Sequence, residues 1–165
     1  MTDNIILIGM PGVGKSSAGV VLAKVLGFEF LDSDLLIQRE EKRLLKDIIA
    51  EDGNDAFLAI EERVNAGISC HHCIVATGGS VIYGPRAMEH LRNIGVVVYL
   101  KAGYDCINSR LSDLTGRGVA MQEGQSLKDL YEERKGLYEK YAHVVVEIDD
   151  LNITQTVQKI VEKLT

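Results

Sequence analysis

Short apolar runs alternate with stretches of helical periodicity along the whole chain. The runs at 4–8, 28–31, 73–76, 96–100 and 143–147 have strand length, and most are rich in Ile and Val, so they read as strands. Between them, apolar positions recur every three or four residues over 14–26, 33–42, 44–52, 54–69, 86–93, 104–112, 126–141 and 152–164. That spacing predicts amphipathic helices. Val96-Val97-Val98-Tyr99-Leu100 and Val144-Val145-Val146 are continuous rather than alternating, as expected of strands covered on both faces in a parallel sheet. Regular β/α alternation then predicts an α/β fold, a three-layer sandwich around a five-stranded parallel sheet. In such sheets ligands bind at the carboxyl ends of the strands. One stretch, about 112–125, carries three glycines and little periodicity. Loops of that length inside compact domains usually serve a function, and a mobile lid is expected here. With no repeat, low-complexity segment or linker in sight, residues 1–165 read as a single domain.

Gly9-Met10-Pro11-Gly12-Val13-Gly14-Lys15-Ser16 lies between the first strand and the first helix. This is the order that a phosphate-binding P-loop requires. Glycines let backbone N–H groups turn inward and approach phosphate oxygens. The helix start aims the positive end of its dipole at the same anion. Lys15 is placed to reach the β- and γ-phosphates of ATP, and the Ser16 hydroxyl to ligate Mg²⁺. Gly12, Val13, Gly14, Lys15, Ser16 and Ser17 are therefore the expected ATP-binding loop.

Bulk composition narrows the partners. The chain is 46% apolar and 25% charged with a formal net charge of −6, which gives no basic face for nucleic acid. No apolar stretch approaches a membrane span, and no charged segment precedes the first apolar run. Three cysteines, an odd number, point to free thiols and a cytoplasmic setting; a monomer is expected. Cys70-His71-His72-Cys73 has zinc-ligand residue types. However, it lacks a second ligand pair at finger spacing, and Cys73 opens an apolar strand. A helix-to-strand turn is the expected reading.

Further along come Leu31-Asp32-Ser33-Asp34 at the end of the second strand, Asp52-Gly53, Phe57 with Glu61, and the turn Thr77-Gly78-Gly79. Arg117 lies inside the lid, and Arg134-Lys135-Gly136-Leu137-Tyr138 follows, then Tyr141-Ala142. In order and spacing this set resembles shikimate kinase over essentially the whole chain. The resemblance implies a P-loop kinase fold with a lid, ATP as substrate, Mg²⁺, and a small-molecule acceptor hydroxyl, that of shikimate, bound largely by the segment at about 33–61. It implies that Ser16 and, through water, Asp32 hold the metal, and that Asp34 contacts the acceptor hydroxyl. Gly78 and Gly79 would donate backbone hydrogen bonds to the substrate, Arg117 would close over the phosphates, Arg134 would grip a carboxylate, and Arg110 would lie near adenine. Lys15, Asp34 and Arg117 are the expected catalytic set.

These roles fit elementary chemistry. Phosphoryl transfer asks for positioning and charge neutralisation, a strand-end carboxylate can orient or deprotonate an alcohol, and lid closure excludes water. Plainer roles are open too. Asp32 and Asp34 suit helix capping, and Ser33 in that role would leave Asp34 for the acceptor. Arg110 suits a helix C-terminus. Arg134 has Leu130, Tyr131, Leu137 and Tyr138 at helical spacing and no acidic partner there.

Several positions depart from the family pattern. Leu58 stands where the family has an arginine, a second clamp on the substrate carboxylate. Asn54, Ile49, Lys42, Leu44, Ser80 and Gly118 also differ. Most of these changes fall in 42–58, the segment expected to cover the acceptor. Another hydroxylated acceptor, as in gluconate-kinase-like enzymes, and a nucleotide-binding regulatory module without turnover are the alternative readings. Arg39, Arg43 and Lys46 are the nearby cations able to replace the missing clamp.

Overall fold

The computed structural model describes residues 3–112 and 124–165. Among them are strands β1 (Asn4–Ile8), β2 (Glu29–Asp32), β3 (Cys73–Ala76), β4 (Gly95–Lys101) and β5 (Val144–Glu147). The helices are α1 (Lys15–Leu26), α2 (Ser33–Glu41), α3 (Leu45–Asp52), α4 (Asn54–Ala66), α5 (Pro85–Ile94), α6 (Tyr104–Ser112), α7 (Leu127–Tyr141) and α8 (Ile153–Leu164). The strands pair in the order β2-β3-β1-β4-β5, every pair parallel. The expected five-stranded parallel sheet is therefore present, with β1 at its centre.

Burial follows position in the sheet. Ile6, Leu7 and Ile8 of β1 are fully buried, as are Ile74 and Val75 of β3 and Val97, Val98 and Leu100 of β4. β5 is an edge strand, and only Val146 of its valines is buried. Its continuous apolar run thus reflects partial cover rather than cover on both faces. Asn4 opens β1 as a buried polar residue with its amide fully used. Nδ2 donates to the carbonyls of Cys70 and Ile94, and Oδ1 accepts from the Cys73 amide. These bonds fix the Cys70–Cys73 turn and lead Cys73 into β3, as expected. His71 and His72 are exposed.

A second, smaller core forms outside the sheet. Ile37, Ile48, Phe57 and Val64 pack together from α2, α3 and α4, with Leu36, Leu45, Ile49, Leu58 and Ile60 around them. The segment expected to cover the acceptor is thus held as a helical unit. α4 stops at Ala66 rather than 69, because the Gly67 amide bonds back to Val64 and the Ile68 amide to Asn65 in a tight terminal turn. A single 3₁₀ turn, Val81–Tyr83, is too short to show as periodicity. Among the described residues, no helix is long and apolar enough to cross a membrane.

Gly95, where β4 begins, pairs with Asn4 of β1. A Cβ there would lie 2.5 Å from the Asn4 carbonyl oxygen, a backbone atom that yields only by moving the strand. Gly95→Ala should therefore cost about 1–3 kcal/mol, read as a lower urea midpoint at unchanged slope.

Candidate active site

Three loops leave the carboxyl ends of β1, β2 and β3 and close on one another. The first is the P-loop. Gly12 and Gly14 take φ of +81° and +99°, a region that residues with a Cβ rarely enter. Gly14 caps α1 without any side-chain hydrogen bond, and the first turn of α1 carries no acidic residue. The helix thus presents its positive end to the loop with no acidic side chain in its own first turn. Lys15 is buried, with its ammonium 2.6 Å from the Gly9 carbonyl and 2.9 Å from that of Met10. Arg110, at the end of α6, donates to the carbonyls of Val13 at 2.9 Å and Gly12 at 3.3 Å. Ser17 is exposed on the first turn of α1.

The second loop is the β2–α2 junction. Asp32 Oδ1 accepts from the amides of Asp34 and Leu35 and so caps α2. Its other oxygen accepts from the Ser16 hydroxyl at 2.7 Å. Asp32 is therefore the cap, and Ser33, one residue further on, is buried with no hydrogen bond to Oγ among the described residues. The Ser16–Asp32 pair sets two hard oxygen donors at the mouth of the P-loop, a donor set that fits Mg²⁺ retaining most of its waters.

The third loop follows β3. The Thr77 hydroxyl and amide both donate to the Leu7 carbonyl. A Cβ on Gly78 would meet Asp34 Oδ1 at 2.6 Å and Glu61 Oε2 at 2.8 Å. One on Gly79 would meet Pro11 Cδ at 2.6 Å and an Arg134 terminal nitrogen at 2.9 Å. The two glycines are the points where the P-loop, Asp34, Glu61 and Arg134 converge. Arg134 is 1% exposed and lies over the Tyr83 ring at 5.4 Å. One turn further along α7, the Tyr138 hydroxyl donates to the Gly79 carbonyl at 2.5 Å.

Lys15, Ser16, Asp32, Asp34, Gly78, Gly79, Arg110 and Arg134 thus meet at one sheet edge. Arg117 and most of the expected lid fall in 113–123, outside the described residues. Leu58, half-buried, packs into the small core of α2, α3 and α4. Arg43 is engaged at the surface by Asp52 at 2.7 Å and Glu51 at 3.0 Å; Arg39 and Lys46 are exposed.

A family model described as shikimate kinase matches residues 11–165. The chain belongs to the shikimate kinase family. It is 36% identical to a shikimate kinase of Chlorobium chlorochromatii, over 97% of this chain and 90% of that one. A solved shikimate kinase from Acinetobacter baumannii, in complex with shikimate, superposes with a TM-score of 0.91 at 32% identity, covering 99% of this chain and 93% of that one. A gluconokinase from Sinorhizobium meliloti reaches a TM-score of 0.57 at 20% identity, covering 98% of this chain and 91% of that one, a likeness of fold alone.

Sequence reasoning placed Glu61 in the motif but gave it no role. It is 2% exposed, accepts from the Ser80 hydroxyl at 2.6 Å and faces Gly78. Burial, with the nearby Asp34 charge adding to it, pushes its carboxyl from 4.5 up to about 8, against the opposing pull of Ser80, Arg134 and Lys15. The folded state then holds this proton more tightly than the unfolded chain does. Stability from this group is full below pH 4.5 and is lost as pH rises towards 8. The thermal midpoint should fall across that window more steeply for the natural protein than for Glu61→Gln, checked by calorimetry at matched ionic strength.

Proposed function

We propose that this chain transfers the γ-phosphoryl group of ATP to a hydroxyl of shikimate, acting as a monomer in the cytoplasm. The observation that carries this reading is the convergence of the P-loop, Asp34 and the buried Arg134 guanidinium on Gly78 and Gly79. Two chemistries meet there: a cradle for phosphate and, beside it, a buried cation and a carboxylate brought together at the Gly78-Gly79 turn. Shikimate is a small polyol carrying one carboxylate, which matches that pairing.

The backbone N–H groups at the start of α1 and the Lys15 ammonium hold the phosphates and offset their charge. Lys15 exchanges the Gly9 and Met10 carbonyls for phosphate oxygens. Arg110, fixed to the P-loop carbonyls, borders the nucleotide. Ser16 would hold Mg²⁺ directly and Asp32 through water, and the ion would supply charge neutralisation for the transferring group. Arg134 anchors the acceptor carboxylate and orients the ring, with backbone amides of Gly78 and Gly79 donating to the acceptor. Asp34 accepts a hydrogen bond from the acceptor hydroxyl. As the hydroxyl oxygen bonds to the γ-phosphorus, the bond from that phosphorus to the bridging oxygen breaks. ADP departs with the electron pair, and the hydroxyl proton passes to Asp34. The family resemblance assigns Arg117, which lies outside the described residues, to the phosphates.

Leu58 leaves Arg134 as the anchor that the family pattern places on the carboxylate from this side. Losing one partner of a buried charge pair costs about 2–5 kcal/mol, on the order of 30-fold to several thousand-fold in affinity. Arg134→Ala should weaken the acceptor by that factor while leaving ATP binding nearly unchanged.

A coupled assay for ADP release should show turnover with shikimate well above the no-acceptor background. Asp34→Asn should abolish that turnover with little effect on ATP affinity. Tight ATP binding with no acceptor-dependent turnover over a panel of hydroxy acids would overturn the reading in favour of a regulatory nucleotide-binding module.

A further inference from the structure

Glu61 sits on the face of α4 shared with Phe57, Leu58, Val64 and Asn65, so no cation of its own helix faces it. Its Oε1 accepts from Ser80 at 2.6 Å. Oε2 has no hydrogen-bond partner among the described residues and lies 2.8 Å from the point where a Gly78 Cβ would stand. Asp34 Oδ1 lies 2.6 Å from the same point. The two carboxyl groups thus face each other across a residue with no side chain to separate them. Arg134 from α7 and Lys15 from α1 act on Glu61 from a distance. Tyr83, from the 3₁₀ turn, lies against Arg134. Arg43 of the α2–α3 turn is held by Glu51 and Asp52 of α3, and Arg86 of α5 by Glu62. Two carboxyl groups so placed, one fully buried, oppose each other's ionisation.

We propose that Glu61 is a positioning residue for the phosphoryl acceptor: it keeps its proton in the working enzyme and turns Oε2–H towards Asp34 Oδ1. The bond aims Asp34 at the acceptor hydroxyl. It also keeps the pocket one negative charge lower than its composition implies, so that an anionic acceptor reaches Arg134 without facing a carboxylate pair. The inference rests on the proposed reading of the site as one for an anionic alcohol. Losing that proton at alkaline pH sets a second carboxylate beside Asp34, and the acceptor is repelled while the P-loop is unchanged.

The test is acceptor KM and kcat for shikimate from about pH 6.5 to about pH 9.5, spanning the transition expected near 8. Acceptor KM should climb by up to about tenfold per pH unit beyond the transition, and kcat should fall with the same midpoint. Glu61→Gln should flatten the climb. Ser80→Ala removes a hydrogen bond that favours the ionised form and should move the climb to higher pH, a direction that mere loosening of the pocket would not produce. Difference infrared spectra of the protein should show a neutral carboxyl band near pH 7 that fades with the same midpoint, shifts upward in Ser80→Ala and is missing from Glu61→Gln. A wild-type KM climb retained in Glu61→Gln, or a band that persists in it, overturns the proposal. Absence of any turnover with shikimate overturns the functional reading instead, and the infrared titration still decides where the proton resides. Should Glu61→Gln fail to fold, the Ser80→Ala shift alone settles the matter: a midpoint that stays put refutes it.

Discussion

Backbone approach at the carboxyl edge of the sheet is the constraint on which the rest depends. The turn after β3 comes so near the P-loop and the end of β2 that neither Gly78 nor Gly79 leaves room for a Cβ. Parallel pairing sets this up. β3 lies between β2 and β1, so its exit loop is bounded by the exit loops of both neighbours. Thr77 ties that loop to Leu7 of β1, and the Ser16–Asp32 hydrogen bond ties the β1 exit to the β2 exit. A phosphate cradle alone could sit on β1. On the proposed reading, placing an acceptor beside it requires three strand ends brought to one point, with the Gly78-Gly79 backbone packed directly against side chains of Pro11, Asp34, Glu61 and Arg134.

Position along the sequence explains which parts of the site were legible. Lys15, Ser16, Asp32 and Asp34 lie at strand ends, where β/α alternation and the P-loop spacing already say what they face. Arg134 was named by the family resemblance, and its helical neighbours Leu130, Tyr131, Leu137 and Tyr138, none of them acidic, agree with that reading. Strand and helix boundaries fell within a few residues throughout, because Gly, Asp and Ser punctuate nearly every junction. What stayed hidden depends on distant segments meeting. Arg110 reaches the P-loop carbonyls across 97 and 98 residues of chain. The Tyr138–Gly79 bond spans 59. The edge position of β5 was also hidden, since Val144-Val145-Val146 reads the same whether one face or two are covered.

Glu61 shows how a signal can be present and still go unread. A glutamate whose helical neighbours are Phe57, Leu58, Val64 and Asn65 lies on a buried face by periodicity alone. An acid on such a face needs a cation, a proton or a hydrogen-bond donor. The sequence names no cation at helical spacing, and Ser80, the donor the fold supplies, sits 19 residues away. Only the three-dimensional arrangement adds Asp34 across Gly78, which together with burial raises the Glu61 carboxyl.

Leu58 and Glu61 then belong to one argument about charge. In the family pattern an arginine occupies the position of Leu58, one helical turn before Glu61 and on the same face of α4. A cation there beside an ionised carboxylate contributes no net charge to the pocket. Leucine there beside a protonated carboxyl contributes none either. On the proposed reading the net charge contributed by the two positions is the same in both cases, although only the arginine adds a second clamp on the carboxylate. The two solutions differ in how they are held. An ion pair resists pH change across the neutral range, whereas a buried neutral acid keeps its charge state only below the value that burial sets. Packing Leu58 onto Ile37, Ile48, Phe57 and Val64 exchanges a charged clamp for apolar burial that fastens α4 to α2 and α3. On the proposed reading, that exchange ties the acceptor side of the site to the protonation of Glu61, while the phosphate side is built on backbone dipoles and Lys15.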